Sequence, residues 1–340
     1  ARNGVFVHLE PPHKAASTAR PGRTIRRGGA RQPRVAVLYS ALEFPGEIRM
    51  ATTQLTRHEV DVRDVEYIRH GNKGYQARVY VPKGAGPFPL VIDIHGGAWC
   101  NKDRTSDEGT DRPLAESGVV VASLDFRMPP DAIYPASLQD VNYAVRWFKL
   151  HAKEFNIDAK RVGILGVSSG GHQAMLTALR PRDGMFATIP LKGATDIDAS
   201  VQLAIMCWPV IDPLGRYEYA KKHLTSKDAG LRKQAENWVA CHDKYWPRLV
   251  DMEEANPLRV VQRREIHELP PVIYVQGTAD VAHPAPMREA FVRDYAKAGG
   301  RIEQHLFNGV GEAFITTDPN SPQAKAAVAK IIEYVHREFD

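Results

Sequence analysis

Six residues, Gly166-Val167-Ser168-Ser169-Gly170-Gly171, constrain this chain more than any other stretch. They follow a short apolar run, Arg161 to Leu165, that reads as a buried strand, and they precede His172 to Leu179, which reads as a helix. Strand, Gly-x-Ser-x-Gly and helix together make a nucleophile elbow, a turn so sharp that the serine side chain stands above the sheet. Glycines flank it because the backbone there is strained and the helix packs close. Ser168 is therefore the candidate nucleophile. Gly and Ser are also common in ordinary loops, so the reading depends on what surrounds it.

The surroundings alternate strand and helix. Val60 to Ile68 and Gln76 to Val81 each alternate in polarity around a turn at Gly71 to Gly74, which predicts an antiparallel hairpin. Leu90 to Ile94 and Val119 to Leu124 are continuous apolar runs, expected of strands buried on both faces. Thr105 to Ser117 reads as helix, and so does Ser137 to Lys153, where Leu138, Val141, Val145 and Phe148 recur at helical spacing. After the elbow come a strand at Val201 to Trp208, a strand at Val272 to Gln276, a helix at Pro286 to Ala298, a strand at Arg301 to Phe307 and a final helix at Ser321 to Phe339. The prediction is an α/β fold: a mostly parallel, eight-stranded sheet with helices on both faces. Residues 214–268 interrupt the alternation with aromatic-rich helices, predicted to form a cap over the strand ends, where such sheets bind ligands.

Charge divides the chain. Residues 1–49 carry nine Lys/Arg against three Asp/Glu, which leaves 36 against 37 in the remainder, so the net charge of +5 comes from the leader. Its Pro, Gly, Arg and Ala content predicts a disordered, dispensable tail, broken at most by a short strand at Arg34 to Ser40, with the folded domain over residues 50–340. A basic tail can touch nucleic acid or anionic lipid, but the plainer expectation is a solvated segment, with neither nucleic acid nor membrane as partner. No apolar run approaches the roughly 20 residues that span a bilayer. Cys100, Cys207 and Cys241 form no CxxC pair, which argues against a disulfide framework or a zinc site and favours a reducing, cytoplasmic setting. The glycines at 166–171 lack the lysine of a phosphate-binding loop, so no cofactor or metal is implied.

Two further stretches fit chemistry at Ser168. His95-Gly96-Gly97-Ala98-Trp99 directly follows a buried strand. Acyl transfer develops negative charge on a carbonyl oxygen, and fixed backbone N–H groups aimed at it are often the largest catalytic term. The expected donors are the N–H groups of Gly97, Ala98 and Ser169. A plain Gly-Gly turn is the competing reading. Asp280, in Gly277-Thr278-Ala279-Asp280 after a late strand, suits the acid of a triad in chain order, against the alternative of a simple turn aspartate. Trp99, Trp208 and the aromatics of 214–268 suggest an apolar pocket wall. Cys100, beside the glycine loop, reads as reactive or, more plainly, as a small hydrophobe lining the pocket.

With HGGAW at 95–99, DFRMPP at 125–130, YPASLQD at 134–140, GVSSGGH at 166–172 and GTAD at 277–280, the chain resembles α/β-hydrolases of the esterase/lipase superfamily. It is most similar to bacterial carboxylesterases of the hormone-sensitive-lipase, acetyl-esterase and arylformamidase-like groups. The resemblance covers about residues 60–340 and implies a serine hydrolase for a small, fairly apolar ester or amide; a homodimer is possible and the oligomeric state is open. One position departs from the family pattern. Where the family has its triad histidine, in the turn after the last strand, this chain has Glu312 within Asn308-Gly309-Val310-Gly311-Glu312-Ala313-Phe314. A carboxylate near its reference pKa of about 4.3 is a weak base for a serine hydroxyl. Three readings follow: Glu312 as an unusual base within reach of Ser168 and Asp280, another histidine in its place, or a chain that binds rather than hydrolyses. A lyase or cyclase on the same scaffold is a further alternative. His283, on the loop of Asp280, is the best substitute histidine. His172, on the elbow helix, more plainly satisfies a buried partner, and His305 lies mid-strand.

Overall fold

The computed structural model describes residues 57–340. The leader at 1–49, its short strand and a domain start at Met50 lie outside the described residues. The hairpin forms as Val60–His70 (β1) and Lys73–Pro82 (β2), both longer than their alternating cores because Gly71 takes a positive φ of 57° and closes the turn tightly. Phe88–Ile94 (β3) and Val120–Leu124 (β4) bracket the helix Glu108–Glu116 (α1). That helix begins later than expected. Asp103 instead accepts hydrogen bonds from the backbone N–H and hydroxyl of Thr105, holding the preceding segment in a turn. Ala136–Leu150 (α2), Ile157–Val167 (β5) and Ser169–Leu179 (α3) follow.

The rest of the sheet is Leu203–Cys207 (β6), Val272–Gly277 (β7) and Ile302–Phe307 (β8). Four helices lie between β6 and β7: Pro213–His223 (α4), Ala229–Tyr245 (α5), Leu249–Glu254 (α6) and Pro257–Arg263 (α7). Ala285–Lys297 (α8), Phe314–Thr317 (α9) and Pro322–Phe339 (α10) complete the chain. The eight strands run β1-β2-β4-β3-β5-β6-β7-β8, with β1/β2 and β2/β4 antiparallel and every other pair parallel.

Alternate side chains of the apolar strands feed two cores. Leu90, Ile92, Ile94 and Ile164 pack with α2, α3, α7 and α8 on one face, while Val91 and Leu165 pack with α1 and α10 on the other. Burial on both faces is why these strands carry no polar alternation. The parallel strands β3, β5, β6, β7 and β8 all end at the same edge of the sheet, and the segments leaving that edge carry Gly97, Ala98, Ser168, Asp280, His283 and Glu312.

Candidate active site

Ser168 links β5 to α3 at φ 53° and ψ −116°, a conformation that L-residues adopt only when their surroundings impose it. The imposition is visible. Ser168 N–H donates to the Cys207 carbonyl at 3.0 Å, and its own carbonyl accepts from Val210 N–H at 2.8 Å, tying the elbow to the end of β6. Gly170 must lack a side chain, since a Cβ there would stand 1.9 Å from the Ile94 carbonyl oxygen. The resulting serine is 5% exposed.

The loop after β3 is built from three successive residues at positive φ: Gly97 at 96°, Ala98 at 51° and Trp99 at 62°. Its carbonyl at Gly97 accepts from Cys100 and Asn101 N–H, and a Cβ on Gly97 would meet the Asn101 carbonyl oxygen at 2.1 Å. Trp99 N–H donates to Ser169 Oγ at 3.0 Å, which fixes this loop against the residue after the nucleophile. The N–H groups of Gly97, Ala98 and Ser169 make no hydrogen bond to another described residue. His95 is buried, stacked on Phe126 and bonded through Nδ1 to the Gly96 carbonyl, and burial pushes its imidazole down to about 4, so it orders the loop as a neutral ring.

Asp280 and His283 occupy one turn after β7. Asp280 Oδ1 accepts from the backbone N–H groups of Ala282 and His283 at 2.8 and 3.1 Å, and Oδ2 lies 2.9 Å from His283 Nδ1. Burial alone would raise the Asp280 carboxyl. His283 and those two N–H groups outweigh it and hold the carboxyl below its ordinary value. A carboxylate at Nδ1 requires the proton there, leaving Nε2 as an acceptor. His283 Nε2 is 3.2 Å from Ser168 Oγ.

Glu312 reaches the same hydroxyl from the other side, with Oε1 3.3 Å from Ser168 Oγ. Its loop is locked to that of Asp280 through Ala279 N–H on the Val310 carbonyl at 2.9 Å and Gly309 N–H on Thr278 Oγ1 at 3.0 Å. Glu312 thus meets Ser168 as expected, but Asp280 spends its hydrogen bonds on Gln276, Ala282 and His283 instead of meeting Glu312. A third charge stands nearby. Arg216 of α4 is buried, donates through Nε to the Ala282 carbonyl at 3.0 Å and lies over the Trp238 ring. Burial depresses its pKa, and Glu312 and Asp280 oppose that effect.

The remaining sequence candidates fall elsewhere. His172 is buried, with Nε2 on the Ala255 carbonyl at 2.8 Å and Nδ1 accepting from the Trp99 indole at 3.3 Å, and burial lowers it to about 4. His305 pairs with Glu303 on β8. Trp99 and Trp208 do not wall a pocket: both are buried, Trp99 stacked on Tyr245 and Trp208 against Phe314. The space beside His283 is a cavity of about 10 Å³ lined in part by Arg216, Met287 and Arg288. His283 itself is the residue the family pattern does not mark. The Asp280-x-x-His283 spacing was the available signal, because an aspartate that caps the next turn brings the side chain three residues on back beside its own carboxylate.

The mixed sheet, the strained serine between β5 and α3, and the loops at the carboxyl edge give this chain the α/β-hydrolase fold. Solved esterases share it. EstE1, a carboxylesterase cloned from a metagenomic library, superposes with a TM-score of 0.66 at 22% identity over 85% of this chain and 92% of its own. An esterase from Pyrobaculum calidifontis superposes with a TM-score of 0.63 at 23% identity over 84% and 87%. Among sequences, esterase LipC of Mycobacterium tuberculosis is 26% identical over 260 residues, 74% of this chain, and LipI of the same organism is 32% identical over 143 residues, 40% of this chain. The matches span only 59% of LipC and 45% of LipI. The chain belongs to the BD-FAE family, whose model matches residues 78–292.

Proposed function

We propose that the chain is a carboxylic-ester hydrolase in which Ser168 is the nucleophile, His283 the general base and Asp280 the acid that orients it. The observation that carries this is the continuous line from Asp280 Oδ2 to His283 Nδ1 at 2.9 Å and from His283 Nε2 to Ser168 Oγ at 3.2 Å. In the forward step Ser168 Oγ attacks the ester carbonyl and its proton passes to His283 Nε2. Asp280 stabilises the imidazolium that forms, and His283 returns the proton to the departing alkoxide. Water then repeats the sequence on the acyl-serine. The N–H groups of Gly97, Ala98 and Ser169 are assigned to the oxyanion, a role supported by their freedom from other partners and their fixed loop.

Glu312 is assigned a subsidiary role. The Ser168 hydroxyl has one proton, and Glu312 at 3.3 Å competes with His283 for it in the resting enzyme. Short acyl groups are the proposed substrates, supported by the near-complete cover over Ser168. The inserted helices α4–α7 act as the cap in this reading, supported by the contacts of Trp99 with Tyr245 and of His172 with the Ala255 carbonyl. Hydrolysis of p-nitrophenyl acetate and butyrate by the parent, lost in Ser168→Ala, is the expected outcome. A parent that hydrolyses neither ester and resists acylation at Ser168 would overturn the proposal in favour of a binding protein.

A further inference from the structure

Two of the three free cysteines meet across the boundary between the catalytic loop and the inserted helices. Cys100 is half-buried directly after the positive-φ residues 97–99, and Cys241 is buried on α5, 141 residues away in sequence. The Cys100 thiol donates to the Cys241 carbonyl at 3.5 Å, which brings the two residues side by side. Asn101 Nδ2 approaches Cys241 Sγ at 3.8 Å, and Cys241 Sγ lies 3.9 Å from Asn237 Oδ1. Nothing in the proposed hydrolytic steps uses either sulfur.

We propose that Cys100 and Cys241 are a peroxide-sensitive dithiol that closes to a disulfide and ties the loop after β3 to α5. Their unequal environments assign the roles. Closeness to Cys100, with the positive charges of Lys244 and Arg216 and the Asn101 amide, lowers the Cys241 thiol against its burial and favours its thiolate. Cys100 is pushed well up by its closeness to Cys241 and by burial. Cys241 is thus the attacking sulfur and Cys100 the resolving one.

The chemistry balances with hydrogen peroxide as oxidant. The Cys241 thiolate attacks one peroxide oxygen, an S–O bond forms, the O–O bond breaks and hydroxide leaves. Cys241 is then an uncharged sulfenic acid beside the Cys100 thiol. Cys100 sulfur attacks Cys241 sulfur, the S–S bond forms and the S–O bond breaks. The departing hydroxide takes the Cys100 proton as water. Overall, two thiols and one peroxide give one disulfide and two waters. Cys207, buried in β6 with its thiol pushed well up by burial, is the internal control.

The test is a peptide map of the whole chain after brief exposure to hydrogen peroxide near neutral pH. The expected result is a reductant-sensitive link between the tryptic peptides 84–102 and 234–244, with alkylatable thiols in the denatured protein falling from three to one. In Cys100→Ser a sulfenic acid trapped by dimedone should appear at Cys241, and in Cys241→Ser position 100 should stay fully alkylatable. Absence of the linked pair in the parent would overturn the proposal. So would a link found solely between two chains, or oxidation of Cys100 as fast in Cys241→Ser as in the parent. The readout is mass, so it stands whether or not the chain hydrolyses esters.

Discussion

Glu312 Oε1 and His283 Nε2 approach the same atom, Ser168 Oγ, at 3.3 and 3.2 Å from two different loops. The proposed base, His283, and Glu312 thus stand on separate loops around one hydroxyl. The turn after β8 brings a carboxylate to Ser168, and the turn after β7 brings both an aspartate and an imidazole. The first expectation from this geometry concerns Glu312. Glu312→Gln keeps a hydrogen-bonding group beside Ser168 and leaves the Asp280–His283–Ser168 line intact, so kcat/KM for p-nitrophenyl butyrate should change by less than about tenfold, well below the cost of losing a general base. Glu312→His, with an imidazole already supplied by His283, should likewise bring no large gain. A hundredfold gain on that substitution would mean that His283 is not the base.

The positions that sequence made legible are those whose chemistry is written locally. Ser168 stands between an apolar run and a helix, and both glycine-flanked loops follow runs buried on two faces, so their places at the sheet edge followed from pattern alone. Sequence marks His283 as the best substitute histidine but gives no reason to rank it above Glu312, because a loop histidine is ordinarily solvated. What promotes it is the Asx-type turn at Asp280, visible once the N–H groups of Ala282 and His283 are seen on its Oδ1. Their sequence positions suggest Trp99 and Trp208 as pocket walls, yet a large aromatic beside a glycine loop fills core as readily as it lines a pocket, and both are buried.

Burial changes the expectation for the aromatics of 214–268. Trp246 packs against Tyr134, Tyr245, His172 and Trp99 with ring centroids 4.8 to 5.6 Å apart. Sequence suggests that Trp246→Ala alters ligand preference more than stability. The packing predicts the reverse, a loss of about 3–5 kcal/mol in urea unfolding. A loss under about 1 kcal/mol would mean that this cluster is not close-packed.

A buried acidic cluster sets a pH dependence of stability that no single stretch of sequence announces. Asp93 of β3, Asp107 before α1 and Asp111 on α1 are all fully buried, and of their carboxylate oxygens Asp93 Oδ2 is bonded, to Ser123 at 2.7 Å. Burial, opposed by Lys102, pushes Asp107 up to about 6, and burial with mutual repulsion pushes Asp93 and Asp111 well above the ordinary range. A carboxyl whose folded pKa exceeds its unfolded value near 3.8 stabilises the fold fully below that value and loses the contribution as pH rises through the folded pKa. For Asp107 the window runs from about 4 to about 6. Asp107→Asn should therefore be more stable than the parent at pH 8 by on the order of 2–3 kcal/mol, with the gap closing toward pH 4. Equal stability at both pH values would contradict the buried-acid assignment.

The most direct test of the central claim is the rate at which a fluorophosphonate labels Ser168, followed by intact mass in the parent, His283→Ala and Glu312→Gln. Labelling requires an activated serine, so it reads the base without assuming a substrate. The account predicts rapid stoichiometric labelling of the parent, labelling of Glu312→Gln within about tenfold of it, and loss of at least about a thousandfold in His283→Ala. Labelling that survives in His283→Ala but is lost in Glu312→Gln would contradict the account and make Glu312 the base.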